Sequence, residues 1–312
     1  MKITALAGGV GGAKLSQGLS EVLPVDDLTI IVNTGDDFTF YGLYICPDLD
    51  TVSYTLAGMA NPKTGWGVID ETFNTFEMLK DNHSPDWFML GDKDLATHME
   101  RTRMLDEGRS LTEVSLHFNE IWNIKHPILP MCDQPVPTMV ETVEEGWLSF
   151  QEYFVKYHFQ PQVKQFVFKD IDKSRPDPAV LSALREADAV VICPSNPFVS
   201  IAPILAVPGI RETLNDKFVL AVSPIIGGKA VKGPLGKIFE EKGIQPSPLS
   251  IVQQYADFLD CIYLDSQDES YGEEIKQSGI IFEATDIMMP DLENRTRLAQ
   301  DIIKFIEDRQ RQ

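Results

Sequence analysis

Apolar residues in this chain crowd into short runs broken by glycine- and acid-rich turns, and the spacing within runs switches between the periods of strand and helix. Residues 3–7 are largely apolar and stop at glycine; residues 13–22 place Ala13, Leu15, Leu19 and Val22 at helical intervals; residues 28–32 are again apolar. A short apolar run with little alternation is the mark of a strand covered on both faces, as in a parallel sheet. The three segments predict a β-α-β unit, whose right-handed crossover places the loops at 8–12 and 33–37 on one carboxyl edge.

The pattern returns late in the chain, with helices at 179–186, 210–214 and 235–242 and strands at 189–193, 218–222 and 261–264. Residues 294–309 are amphipathic and predict a terminal helix. Between 67 and 176 the alternation lapses into helical stretches at 71–80, 95–106 and 111–122, then strand-like runs at 138–143 and 163–168. The expectation is an α/β fold: a Rossmann-like parallel sheet from residues 1–66 and 177–312, with an inserted α+β cap region over 67–176.

Composition narrows the partners more than the fold. The 312 residues carry 27 Lys and Arg against 47 Asp and Glu, a net charge of -20. Nucleic acid and anionic membrane surfaces would repel such a chain, so neither is an expected partner. Cys46, Cys132, Cys193 and Cys261 lack zinc or disulfide spacing. No run approaches the ~18 apolar residues that span a bilayer, and no signal core precedes the first glycines, so the expected location is the cytoplasm.

Against so acidic a background, groups that can hold an anion stand out. The loop Ala7-Gly8-Gly9-Val10-Gly11-Gly12-Ala13-Lys14 lacks the Gly-Lys-Ser/Thr of a P-loop and the third glycine of the dinucleotide fingerprint, which disfavours an ordinary ATPase or dehydrogenase. Gly9, Gly11 and Gly12 still admit close backbone approach to a phosphate at a helix N-terminus, with Lys14 beside them. Ser195 and Asn196, between two prolines after a predicted strand, offer a hydroxyl and an amide. Gly227, Gly228, Lys229 and Lys232 follow another strand and suit a diphosphate. Asp36 and Asp37 end the second strand, with Asp48 and Asp50 just beyond; such oxygen-rich clusters suit Mg²⁺. Asp50 also reads as the N-cap of a helix starting at Thr51. Trp87 and its apolar neighbours, leading into Gly91 and Asp92, suit a flat ring system or, equally, a packed strand before an Asp-capped helix.

These motifs together, with Asn33-Thr34-Gly35-Asp36-Asp37, Pro47-Asp48-Leu49-Asp50-Thr51 and Leu90 to His98, resemble the 2-phospho-L-lactate transferase family over about residues 3–236. The resemblance implies a Mg²⁺-dependent enzyme that moves 2-phospho-L-lactate from lactyl-2-diphospho-5′-guanosine to the deazaflavin Fo, giving F420-0 and GMP, and a homodimer. It implies that Asp50 is catalytic and faces Fo; that Trp87, Met89, Gly91 and Asp92 line the Fo pocket; and that Asp36, Asp37 and Asp50 hold the metal. Position 89 is often basic in the family, so a contact from Met89 has to be apolar or through its backbone. Whether Asp50 acts as metal ligand or general base stays open, as does a phosphoenolpyruvyl rather than phospholactyl donor. A related family of nucleotide-sugar-binding morphogenesis and gluconeogenesis factors shares the glycine loop and provides the alternative, a non-catalytic regulator.

Overall fold

The computed structural model describes residues 1–231 and 233–311. Seven parallel strands form the central sheet: β1 (Ile3–Ala7), β2 (Leu28–Val32), β5 (Ile128–Pro130), β9 (Ala189–Ile192), β10 (Phe218–Val222), β13 (Cys261–Asp265) and β14 (Ile281–Thr285). They lie in the order β14-β13-β10-β9-β1-β2-β5. The chain builds outward in one direction from β1 through β2 to β5, then crosses to β9 and builds the other way. The reversal falls between β1 and β9, whose registers bring Leu6 opposite Ile192. In open parallel sheets, the crevice beyond such a reversal is where ligands bind.

Burial on both faces explains why the strands read as nearly continuous apolar runs. Ile3, Ala5 and Ala7 of β1 pack with Leu220 and Val222 of β10 under α1 (Gly9–Val22) and the terminal helix Leu292–Gln310. Leu6, Ile192, Val219 and Ala221 point to the opposite core. That second core also takes in Val140, Leu148, Phe150 and Tyr153, from the small antiparallel sheet of β6 (Thr138–Thr142), β7 (Trp147–Ser149) and β8 (Val163–Phe168) and the turn after β7.

The region set apart by the sequence pattern, 67–176, is therefore joined to the main sheet at two points. Its β5 is the seventh parallel strand, paired with β2 through Ile30 and Ile128, and its antiparallel sheet shares the main core. β5 escapes the sequence pattern because it has only three residues and ends in proline. The rest of that region holds α3 (Asn74–Asp81), α4 (Asp92–Asp106) and α5 (Leu111–Ile121). A short hairpin, β3 (Phe38–Phe40) and β4 (Leu43–Ile45), leads into α2 (Pro47–Leu56).

Glycine fixes how α1 sits. A Cβ at Gly11 would stand 2.2 Å from the Pro194 carbonyl oxygen, and one at Gly18 would stand 2.2 Å from the Arg295 carbonyl oxygen. Neither backbone can yield without moving a whole element. Gly18→Ala, far from the carboxyl edge, should push the terminal helix off α1 and cost ~1–3 kcal/mol, the usual range for overpacking. Urea unfolding measures this, and wild-type stability would contradict the packing described.

Candidate active site

Four loops meet at the carboxyl edge, each the direct continuation of a buried strand. After β1, the chain turns at Gly8 and enters α1 with no side-chain cap on the helix N-terminus. After β9, Ser195 accepts the Gly8 N–H at 3.1 Å and donates to the Gly8 carbonyl at 2.8 Å, tying the two loops together across the reversal point. A Cβ on Gly12 would lie 2.9 Å from Ser195 Oγ. The glycines thus serve close packing of loop on loop as well as access to the backbone. Lys14 is half-buried on the first turns of α1.

After β2 comes the acidic loop. Asn33 Nδ2 donates to Asp36 Oδ1 at 3.1 Å and Asp48 Oδ2 at 2.9 Å, and Asn33 Oδ1 accepts the Gly35 N–H at 2.8 Å. Asp36, Asp37, Asp48 and Asp50 are all buried. Burial and the neighbouring Asp48 charge push Asp36 well above the usual carboxylate range. Burial does the same to Asp37, with Asp50 and Asp48 adding repulsion. Burial raises Asp48 to about 6, against hydrogen bonds from Asn33 and the Gly9 backbone. The Asp48 carboxylate therefore stands over the start of α1, where partial positive charge gathers.

Asp50 lies in the first turn of α2, whose N-cap is Cys46. The capping role that the sequence allowed for Asp50 is not the one it plays, because Pro47 starts the helix earlier. Its carboxylate is gripped from both sides by Arg101: Nη1 donates to Oδ2 at 3.1 Å and Nη2 to Oδ1. Burial raises its pKa, opposed by Arg101 and His98.

Buried polar atoms without a hydrogen-bond partner concentrate here: both carboxylate oxygens of Asp37, Thr34 Oγ1, Thr138 Oγ1 and Asn196 Nδ2. Asn196 otherwise caps the following turn, its Oδ1 accepting from Phe198 N at 3.0 Å. Leaving such groups unpaired costs ~1–3 kcal/mol each in a buried setting, so the edge has donors and acceptors to offer a polar ligand. A cation of the Mg²⁺ type fits the donor set: oxygen ligands, and an unpaired carboxylate at Asp37 with like-charged neighbours. Among the described residues, the group whose ligand atoms lie within 4.8 Å of one another is Asp50, Asp94 and His98; Asp36 and Asp37 join no such group, and the Asp50 oxygens already serve Arg101.

The predicted diphosphate loop after β10 is a hairpin, β11 (Ile225–Ile226) and β12 (Lys229–Ala230), turning on Gly227 and Gly228 at positive φ. The amides of Gly227 and Gly228 are already taken, donating to the buried Asp268 carboxylate at 2.8 and 3.0 Å. As phosphate donors, these two amides are corrected by that clamp. Lys229 is exposed, and Lys232 lies outside the described residues.

On the cap side, Trp87 is half-buried and meets Phe40 edge-on at 5.1 Å, while Phe38 meets Phe88 at 4.8 Å. These rings, with Ile45, Leu90 and Leu95, make a small apolar cluster on the hairpin that precedes α2, and Met89 is 42% exposed beside it. Gly91 and Asp92 are occupied in construction. Glu71 reaches past Gly91 to accept the Lys93 and Asp94 amides, and a Cβ on Gly91 would stand 2.0 Å from it. Asp92 accepts from Thr72, from the Asn74 amide and side chain, and from the Thr75 amide, which hold its carboxyl far below the usual range. Three of these donors converge on Oδ2 and one on Oδ1, so Asp92 serves to join α4 to α3.

Sequence reasoning singles out none of Arg101, Asp94 and His98 individually. Their signal is the spacing 94, 98, 101, which puts three ionisable groups on one face of α4, and that face is buried.

A parallel α/β sheet whose reversal point carries a glycine-led helix N-terminus, faced by Asp48, and a group of buried acids defines a Rossmann-like protein with a polar ligand site. The fold is shared with a UPF0052 family protein from Bacillus halodurans, at TM-score 0.63 and 15% identity over 97% of this chain and 98% of that one. In sequence the chain matches the family described as 2-phospho-L-lactate transferase CofD over residues 3–307, and it belongs to that transferase family. It is 41% identical to a phosphoenolpyruvate transferase of Kitasatospora aureofaciens, covering 98% of each chain. It is 37% identical to a 2-phospho-L-lactate transferase of Methanosarcina mazei, over 96% of this chain and 98% of that one. Among the described residues, no helix is long and apolar enough to cross a membrane.

An acid whose folded pKa is raised stabilises the fold while protonated. For Asp48 that contribution is complete below the ordinary value of 3.8 and is lost as pH rises through about 6. Metal-free Asp48→Asn should therefore lose less stability than wild type across this window, as urea midpoints will show. Equal slopes would contradict the placement of Asp48.

Proposed function

We propose that this chain transfers the 2-phospho-L-lactate moiety from lactyl-2-diphospho-5′-guanosine to the deazaflavin Fo, releasing GMP and giving F420-0. The observation that carries this reading is the pairing, in a chain of this transferase family, of unsatisfied donors and acids at the sheet reversal with an aromatic cluster at the α2 entrance. The ring cluster of Phe38, Phe40, Trp87 and Phe88 offers apolar surface to a flat acceptor beside Asp50.

The terminal ribityl hydroxyl of Fo attacks the phosphorus bearing the lactyl group; the new O–P bond forms as the bond to the GMP oxygen breaks. The chain's work in such a transfer is positioning and charge neutralisation. The α1 N-terminus and Asn196 Nδ2 offer donors to the diphosphate, and the Thr34 and Thr138 hydroxyls lie at the same edge. Asp50, oriented by Arg101, faces the reacting groups. Mg²⁺ held at Asp50 together with Asp36 or Asp37 would offset the diphosphate charge that this acidic edge otherwise repels.

The two relatives named above carry different donor names at similar identity, 41% and 37%, so overall likeness does not select between a lactyl and a phosphoenolpyruvyl donor. The decisive assay supplies Fo and each guanosine donor in turn with Mg²⁺, follows Fo by fluorescence and resolves products by chromatography. F420-0 and GMP should form and chelator should stop the reaction; a faster phosphoenolpyruvyl donor would revise the donor alone. Fo failing to bind where a guanosine nucleotide does would replace the transferase with the nucleotide-binding regulator. Asp50→Asn should abolish turnover while nucleotide affinity by calorimetry stays within a few fold, because the group acts at the transition state. Wild-type turnover in that variant would remove Asp50 from the reaction.

A further inference from the structure

Arg101 is the only buried lysine or arginine among the described residues, at 3% exposure. Its guanidinium spans both oxygens of Asp50, and Nη1 also reaches the Tyr44 carbonyl at 3.3 Å and His98 Nδ1 at 3.1 Å. A guanidinium only donates. His98 Nδ1 must therefore accept, which assigns the ring proton to Nε2; that nitrogen lies 3.2 Å from Asp94 Oδ2, a close contact without hydrogen-bond alignment. Asp94 in turn accepts the Tyr54 hydroxyl at 2.7 Å, and Tyr54 returns the chain of contacts to α2, the helix that carries Asp50. His98 is 1% exposed, so the centre of this line is shut off from solvent, while Asp94 at its end is partly exposed.

The closed path matters because a carboxylate on its own turns freely about its last bond. A planar fork fixes the plane of the carboxylate as well as its charge, which an ammonium cannot do. The path also locks the fork: Arg101 cannot swing without leaving His98 unpaired, and His98 cannot flip without putting a second donor against the guanidinium.

We propose that Arg101 is a positioning residue, aligned by His98 and Asp94, that sets the plane in which Asp50 meets the reacting groups. The kinetic part rests on the transferase reading; the structural part does not. In Arg101→Lys, the crystal structure should retain the fold while the Asp50 carboxylate turns out of its present plane. Turnover should fall by about 10²-fold, the scale of a 1 Å misplacement, with KM for both substrates within a few fold. His98→Leu should lose turnover in the same sense, and His98→Asn, which keeps an acceptor toward Arg101, should regain part of it even if Arg101→Lys folds poorly.

The proposal is overturned by an unmoved Asp50 carboxylate in Arg101→Lys, by unchanged turnover, or by a KM that rises as turnover falls, which would put Arg101 on a substrate. It is also overturned if Asn at position 98 does no better than Leu. If wild-type protein shows no transfer at all, the function reading fails, and the crystallographic comparison still decides the role of Arg101.

Discussion

Four carboxylates buried within fifteen residues of one another in sequence, against one buried guanidinium, set the terms for everything at the carboxyl edge. Asp36 and Asp48 share the amide of Asn33, Asp48 borrows the start of α1, and Asp50 takes both arms of Arg101, which leaves Asp37 with no nitrogen or hydroxyl donor and only the Cys46 thiol beside it. A chain selected only for stability would not keep this arrangement, since a buried unpaired carboxylate is among the costliest features a fold can carry. The cost is consistent with a site completed by cationic charge when an anionic substrate is bound.

The rest of the fold reads as support for that edge. Parallel strands buried on both faces bring the loops after β1, β2, β9 and β10 to one level, and the Gly8–Ser195 exchange of hydrogen bonds pins two of them together. Glycines at 8, 11 and 12 let this happen without side chains in the way. The cap side adds α4, whose buried face carries Thr97, His98, Arg101 and Met104. A helix with polar groups on its inner face gives up hydrophobic contact, and what it gains here is control of Asp50.

Much of this was legible in the sequence because long-range order follows short-range period. The β-α-β opening and the late strands β9, β10 and β13 match the apolar runs that predict them. β5, three residues ending in Pro130, has too short a period to read. The glycine turn at 227–228 was visible, but its anion is Asp268, some forty residues on, and no local pattern joins them. Gly91 and Asp92 were likewise visible as a helix start, and only the structure shows Glu71 and the Thr72–Thr75 segment packed and bonded against them. The four acids could be counted in advance, while which of them is left unpaired depends on where Asn33 and Arg101 reach.

The central proposal, that the buried acids at this edge are completed by a divalent cation, can be tested without substrate. Mn²⁺ in place of Mg²⁺ is titrated into metal-free protein and followed by electron paramagnetic resonance, with Asp37→Asn as comparison. The account predicts that wild type binds Mn²⁺, that Mg²⁺ displaces it, and that Asp37→Asn binds at least tenfold more weakly, a difference of ~1.4 kcal/mol. Binding by Asp37→Asn as tight as wild type, or no binding by wild type, would contradict it.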